Sequence, residues 1–255
     1  MIDLLGPKKP KKLLSYKWQK MDMIRSSHYF KNFISINFKD ENTKMYLKII
    51  DKLVNNICYV SLEQTKEAAK KIADKIKKHA RKKNKENIIL VADFTSSIKT
   101  KSTYYMKFLS CEKWELKYAK DVTNYEISNS LLVFFDDASF SGARVYLTVK
   151  ELIGKAEIFI ALCGITPRAY KVLQENGLNE MYSYYKFDTI AEILNQTELE
   201  KLEYLSDSLG YPGCHDRVLT FFSHICPDNF WPPFTRKGIE EAYIIDNIKI
   251  KAPYH

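Results

Sequence analysis

Three short runs in the chain are continuously apolar: Ile88-Ile89-Leu90-Val91-Ala92, Leu131-Leu132-Val133-Phe134-Phe135 and Ile158-Phe159-Ile160-Ala161-Leu162. Runs of this length without alternation predict strands buried on both faces of a parallel sheet. Helical spacing precedes the first run and follows the second and third, while a polar stretch rich in Thr and Ser separates the first two. Ala68, Ala69, Ile72, Ala73, Ile76 and Ala80 recur at three and four residues, with Lys66, Lys70, Lys71, Lys75, Lys77 and Lys78 at other positions. That pattern predicts an amphipathic helix, and Ser61 with Gln64 forms a capping box at its start. A shorter helical pattern covers 46–54. Another follows the second apolar run through Val145, Leu147, Val149, Leu152 and Ile153 and stops at Gly154, and a third starts at Pro167 with Thr166 as its cap.

The order strand, helix, strand, helix predicts an α/β fold, an open parallel sheet with helices on both faces. Ligands of such sheets bind at the carboxyl ends of the strands. The last third is less regular, with a strand expected at 182–186, a helix at 197–205 and a Gly/Pro loop at 210–213. The first 25 residues, with Pro7, Pro10 and lysine pairs, read as an arm that orders only against something else. The expected organisation is a basic, mainly helical amino-terminal region at 1–85 packing on an α/β core at 86–255, which ends in a small carboxyl-terminal cap.

Composition and charge narrow the function classes. With 255 residues, 45% of them hydrophobic, the chain is long enough to bury a sizeable core. No apolar run approaches the roughly 20 residues needed to span a bilayer, and the amino terminus has no apolar signal core, so a cytoplasmic location is expected and no membrane partner. The cysteines at 58, 111, 163, 214 and 226 include no Cys-x-x-Cys pair, which argues against a zinc site or a disulfide framework. The net charge of +9 is uneven: residues 1–100 hold 23 Lys/Arg against 10 Asp/Glu, and the remainder holds 17 against 21. A basic half attracts nucleic acid or another anionic partner. Yet 34 of the 40 basic residues are lysine, a bias that suits a solvated surface as well as a binding face.

The candidate chemistry lies at 131–144. If the second strand ends with its apolar run, Asp136 and Asp137 sit at the ligand-facing edge of the sheet. Ala138-Ser139-Phe140-Ser141-Gly142-Ala143 then supplies hydroxyls and backbone amides at the start of a helix. Carboxylates for sugar hydroxyls and donors for a phosphate, about one sugar length apart, suit a phosphorylated ribose. An acidic pair at a strand end also serves a metal in phosphatase or receiver-type sites, and that reading stays open.

This segment resembles the type I phosphoribosyltransferases, in which an apolar strand, two acidic residues and a Ser/Thr/Gly loop bind phosphoribosyl pyrophosphate. The resemblance implies that Asp136 and Asp137 hold the ribose hydroxyls, directly or through Mg2+, and that Ser139, Phe140, Ser141, Gly142, Ala143 and Arg144 wrap the 5-phosphate. Phe140 departs from the family pattern, which places aliphatic residues after the acids and small hydroxyl residues before the glycine. The family binds pyrophosphate after its first core strand, which implies roles for Asp93 and Thr95, and for Ser102 and Lys101 on the leaving group.

A carboxyl-terminal patch at 221–234, with Phe221, Phe222, His224, Pro227, Asp228, Asn229 and Trp231, is similar to a divergent bacterial branch of the family associated with antiphage operons, including retrons. That implies a toxic effector whose partner is a reverse transcriptase with its DNA or RNA product. In the same patch Trp231 suits either stacking on a base or filling a core. The alternative to an enzyme is a non-catalytic module that senses a related nucleotide and docks on nucleic acid or protein through the basic half. His215-Asp216 resembles the HD pair of metal phosphohydrolases, without the further ligands that chemistry needs.

Overall fold

A computed structural model describes residues 5–8, 30–32, 34–36, 42–92, 101–222 and 231. Short 3-10 turns aside, the named elements in chain order are β1 (Leu5–Lys8), α1 (Asn42–Val54), β2 (Cys58–Val60), α2 (Leu62–Lys82), β3 (Asn87–Ala92), α3 (Lys101–Ser110), β4 (Glu115–Tyr118), α4 (Asn124–Asn129), β5 (Ser130–Ser139), α5 (Ala143–Val149), β6 (Ile158–Ile165), α6 (Pro167–Glu175), β7 (Met181–Lys186), α7 (Ile190–Ile193), α8 (Gln196–Ser208) and β8 (Thr220–Phe222). No described helix is long and apolar enough to cross a membrane.

The chain divides into two compact units, Met1–Lys9 with Ser61–Phe187, and Pro10–Val60 with Asp188–His255. The divisions fall at 9/10, 60/61 and 187/188, not at the 85/86 boundary that the charge distribution suggests. The physical reason lies in α2. Its lysines are outside, but Ala68, Ala69, Ile72, Ala73 and Ile76 are fully or almost fully buried, so the helix is part of the α/β unit despite its charge. Burying the two isoleucines alone stabilises by roughly 1.5–3 kcal/mol each. The capping box is present: Gln64 N–H donates to Ser61 Oγ at 3.2 Å, and Ser61 N–H donates to Gln64 Oε1 at 3.0 Å.

The α/β unit holds one sheet of order β1-β7-β6-β5-β3-β4, with every pairing parallel. Alternate residues serve opposite layers. Ile89, Val91, Leu132, Phe134, Ile160 and Leu162 form one apolar layer with Val145 and Val149 of α5 and Leu173 of α6. The intervening side chains face α2 and α3 on the other side, where His79 of α2 stacks on Phe159 at 4.4 Å. Helices therefore cover both faces, as the alternation of runs predicts.

In the second unit β2 pairs in parallel with β8, Cys58 opposite Thr220. Ile49, Ile50 and Leu53 of α1 pack with Leu202 and Leu205 of α8 and with Trp231 in its core. Trp231 is completely buried, edge-on to Phe30 at 5.7 Å, and its indole N–H donates to Ser206 Oγ at 3.3 Å. Of the two readings open for this residue, filling a core is the one it adopts.

Candidate functional site

Strand β5 runs on past its apolar stretch, through Asp136 and Asp137 to Ser139, and does not end at Phe135 as the loss of hydrophobicity suggests. Backbone pairing explains the extension. β6 keeps its partner positions along the polar end, with Asp136 opposite Leu162, Ala138 opposite Gly164 and Ser139 opposite Ile165. On the other side the pairing with β3 stops at Leu90 opposite Val133. The chain leaves β3 for β4 on one side and returns to β5 on the other, which makes this divergence the topological switch point, where open α/β sheets bind ligands.

Because β5 stays extended, the two acids point to opposite faces. Asp136 shares the face of Leu132 and Phe134, beneath α5, and is completely buried. Asp137 lies on the other face, 9% exposed, where it adds to burial in pushing the Cys163 thiol up. The expected single mouth with two carboxylates side by side is thus one carboxylate on each side of the strand. Asp136 Oδ1 accepts from the Asp137 N–H at 2.9 Å, and its Oδ2 lies 3.3 Å from Arg144 Nη1, the first-turn arginine of α5. The same Nη1 donates to Ser102 Oγ of α3 at 3.5 Å.

Burial first, and the neighbouring Asp137 second, push the Asp136 carboxyl up to about 7 against the pull of Arg144. Burial and Asp137 outweigh the opposing pull of Arg144, of the Ser102 hydroxyl and of the Asp137 N–H. Asp136 Oδ2, in ion-pair contact with Arg144, makes no hydrogen bond of good geometry, and Arg144 Nε is buried without a hydrogen-bond partner. An acceptor and a donor left unsatisfied in this way cost roughly 1–3 kcal/mol each and call for a reason.

The loop after β5 is shaped by residues distant in sequence. Thr166 caps α6 by accepting from Ala169 N–H at 3.2 Å, and its hydroxyl donates to the Phe140 carbonyl at 2.6 Å. Its backbone N–H donates to the Ser139 carbonyl at 3.1 Å. The Phe140 ring stacks on the buried Phe187 with centroids 6.0 Å apart, and Phe187 covers Gly164 so closely that a Cβ there would meet its ring at 1.8 Å. Phe140 thus anchors the loop from below. Exposed Ser141 accepts from Ala143 N–H at 3.4 Å. Gly142 takes φ +77°, and a Cβ there would press on the Ala169 carbonyl at 3.1 Å.

Of the residues singled out in the sequence, Ser102, Asp136 and Arg144 converge, and Ser139, Phe140, Ser141, Gly142 and Ala143 form the turn that links Asp136 to Arg144. Asp93, Thr95, the Lys101 side chain and most of the 221–234 patch, including His224, lie outside the described residues. Gly164, Thr166 and Phe187 escaped sequence reasoning as site residues. Thr166 had a signal as a helix cap, whereas its bond to Phe140 had none. In the second unit His215 is held between Glu203 at 3.0 Å and Asp216 at 3.1 Å. The described residues contain no group of three or more His, Cys, Asp or Glu placed to hold a metal. No protein-family model matches the sequence, and no curated protein matches it.

Proposed function

We propose that the chain is a phosphoribosyltransferase-like protein that binds phosphoribosyl pyrophosphate with magnesium outside the carboxyl end of β5. The observation that carries this reading is the Asp136–Arg144 ion pair at the switch point, whose Asp136 Oδ2 and Arg144 Nε make no hydrogen bond. A phosphorylated ribose offers hydroxyl donors to the first and phosphate oxygens to the second. Asp136 and Asp137 hold the sugar and the metal, and the turn from Ser139 to Arg144 takes the 5-phosphate. Phe140 serves the turn through its stacking on Phe187, which leaves Ser139, Ser141 and the backbone for the ligand. Asp93, Thr95, Lys101 and Ser102 serve the pyrophosphate side.

Asp136 and Asp137 stand on opposite faces of β5, so a given Mg2+ would meet one of the two carboxylates, and such an ion commonly takes one or two carboxylates and fills its shell with phosphate oxygens and water. When bound, the ion supplies positive charge against the departing pyrophosphate. In the proposed reaction the C1–oxygen bond to pyrophosphate breaks and its electron pair leaves with pyrophosphate. An acceptor nucleophile closes the new bond to C1 and loses its proton to water. The acceptor carries the chemistry that this site leaves undefined, and no described residue is assigned as its base.

A second reading is favoured by the exposed Lys66, Lys70, Lys71, Lys75 and Lys78 on α2: the same pocket senses a nucleotide-like ligand while this basic face docks on nucleic acid or another acidic partner. The resemblance at 221–234 extends either reading to an effector of a retron-type antiphage system, with a reverse transcriptase gene expected nearby; a purine-salvage neighbourhood contradicts that extension. Pyrophosphate release from phosphoribosyl pyrophosphate and magnesium separates the two readings. Release by wild type that is lost in Asp136→Asn supports transfer. Ligand binding without release supports sensing, and a folded protein that does neither contradicts both.

A further inference from the structure

Strand β4 lies at an edge of the sheet, paired with β3 from Ile89 opposite Glu115 to Ala92 opposite Tyr118, and has no second strand neighbour among the described residues. Such an edge is a template for another strand, and proteins usually guard it with charge. Here the guard has a particular order. The chain reads Trp114-Glu115-Leu116-Lys117-Tyr118: aromatic, acid, aliphatic, base, aromatic. About Leu116 this order is self-complementary. An antiparallel mate of the same sequence, with Leu116 opposite Leu116, sets Glu115 opposite Lys117 and Trp114 opposite Tyr118, each twice.

Faces and register agree with that pairing. A two-fold axis normal to the sheet keeps every side chain on its own face, so the opposed charges meet on one side and the aromatics on the other. Sliding the mate by a step of two residues sets Glu115 against Glu115 in one direction and Lys117 against Lys117 in the other, which like-charge repulsion disfavours. Lys117 is held in place by Glu126 and lies 3.4 Å from its own Glu115, whose side chain is 59% exposed and open to a second cation. The flanks are prepared in the same way. Tyr104 and Phe108, one turn apart on α3, are 54% and 78% exposed. Tyr104, Leu116, Lys117, Tyr118 and Asp121 line a hollow of about 290 Å³ beside the edge, where the mate's Trp114 arrives opposite Tyr118.

We propose that β4 is the contact through which two copies of this chain associate, continuing the sheet across a two-fold axis. The proposal is independent of the ligand assigned to β5. Sedimentation velocity of the full chain over the micromolar range tests it, with a species of twice the chain mass expected. Glu115→Lys, at an exposed position, sets lysine against Lys117 twice and is expected to weaken association by about tenfold or more. Directly opposed residues have Cβ atoms about 4.5–5.5 Å apart, at or beyond the roughly 3.5–4.5 Å of a disulfide but well within the span of a short bis-maleimide. Leu116→Cys in a Cys111→Ser background is therefore expected to cross-link to its own copy with that reagent, and Lys113→Cys in that background to remain uncrosslinked. A wild-type monomer, unchanged association in Glu115→Lys, or no cross-link in a dimeric Leu116→Cys protein each overturns the proposal.

Discussion

In the first half of β5, Leu131, Leu132, Val133, Phe134 and Phe135 send alternate side chains into apolar layers on the two faces of the sheet. In the second half, Asp136 and Asp137 occupy equally enclosed positions, yet an Asp136 oxygen and an Arg144 nitrogen are left without hydrogen-bond partners. One strand thus applies the same burial to two kinds of side chain with opposite consequences: removal from water stabilises Phe134 and disfavours a charged Asp136. The difference teaches where stability and function separate. The apolar half fixes the sheet, and the acidic half stays where it is because β6 carries its backbone pairing.

Substitutions in the two halves should move stability in opposite directions. The largest effect is expected for Phe134→Ala, where truncating a buried aromatic costs about 3–5 kcal/mol, read as a lower urea midpoint at unchanged slope. Next comes Gly164→Ala, which forces the Phe187 ring off its seat and should cost about 1–3 kcal/mol. That change also removes the support under Phe140, so ligand binding should fall with stability, whereas Phe134→Ala acts on stability first.

Asp136→Asn should have the opposite sign. Its carboxyl is raised in the folded state from 3.8 to about 7, so the folded chain holds its proton more tightly than the unfolded chain does. The stability this confers is complete below about pH 4 and is lost as pH rises through 7. The asparagine variant lacks that loss, and at pH 8 it should melt above wild type, with the gap closing towards pH 4. A variant that melts lower at pH 8 would mean that Arg144 holds the carboxylate ionised. Ser102→Ala removes a long hydrogen bond to Arg144 and the hydroxyl that pulls the Asp136 carboxyl down, and should change stability by no more than about 1 kcal/mol.

The same contrast governs how much of the molecule is legible in its sequence. β3, the apolar half of β5, β6, α2 and α6 announce themselves, because burial on both faces writes continuous runs and a helix stripe writes three-four spacing. β4 does not, since an edge strand is half wet and alternates Glu115, Leu116 and Lys117 in a stretch that reads as polar. α3 hides for a related reason, with Tyr104 and Phe108 pointing outward. The extension of β5 to Ser139 is invisible because backbone bonds to β6 sustain it whatever the side chains are, and with it went the separation of the two acids onto opposite faces. The location of the candidate site at 136–144 is legible from residue types alone. The supports of its loop, Thr166, Gly164 and Phe187, come from β6, α6 and the end of β7, and no local pattern announces them.

Calorimetric titration of phosphoribosyl pyrophosphate with magnesium, into wild type and Asp136→Asn protein at pH 8, tests the central claim most directly. A saturable heat in wild type that falls at least about a hundredfold in affinity in a folded Asp136→Asn protein, roughly 2.7 kcal/mol, is the predicted result. Equal binding by the two proteins, or no heat from folded wild type, contradicts the assignment of the orphaned Asp136–Arg144 pair to a phosphorylated ribose.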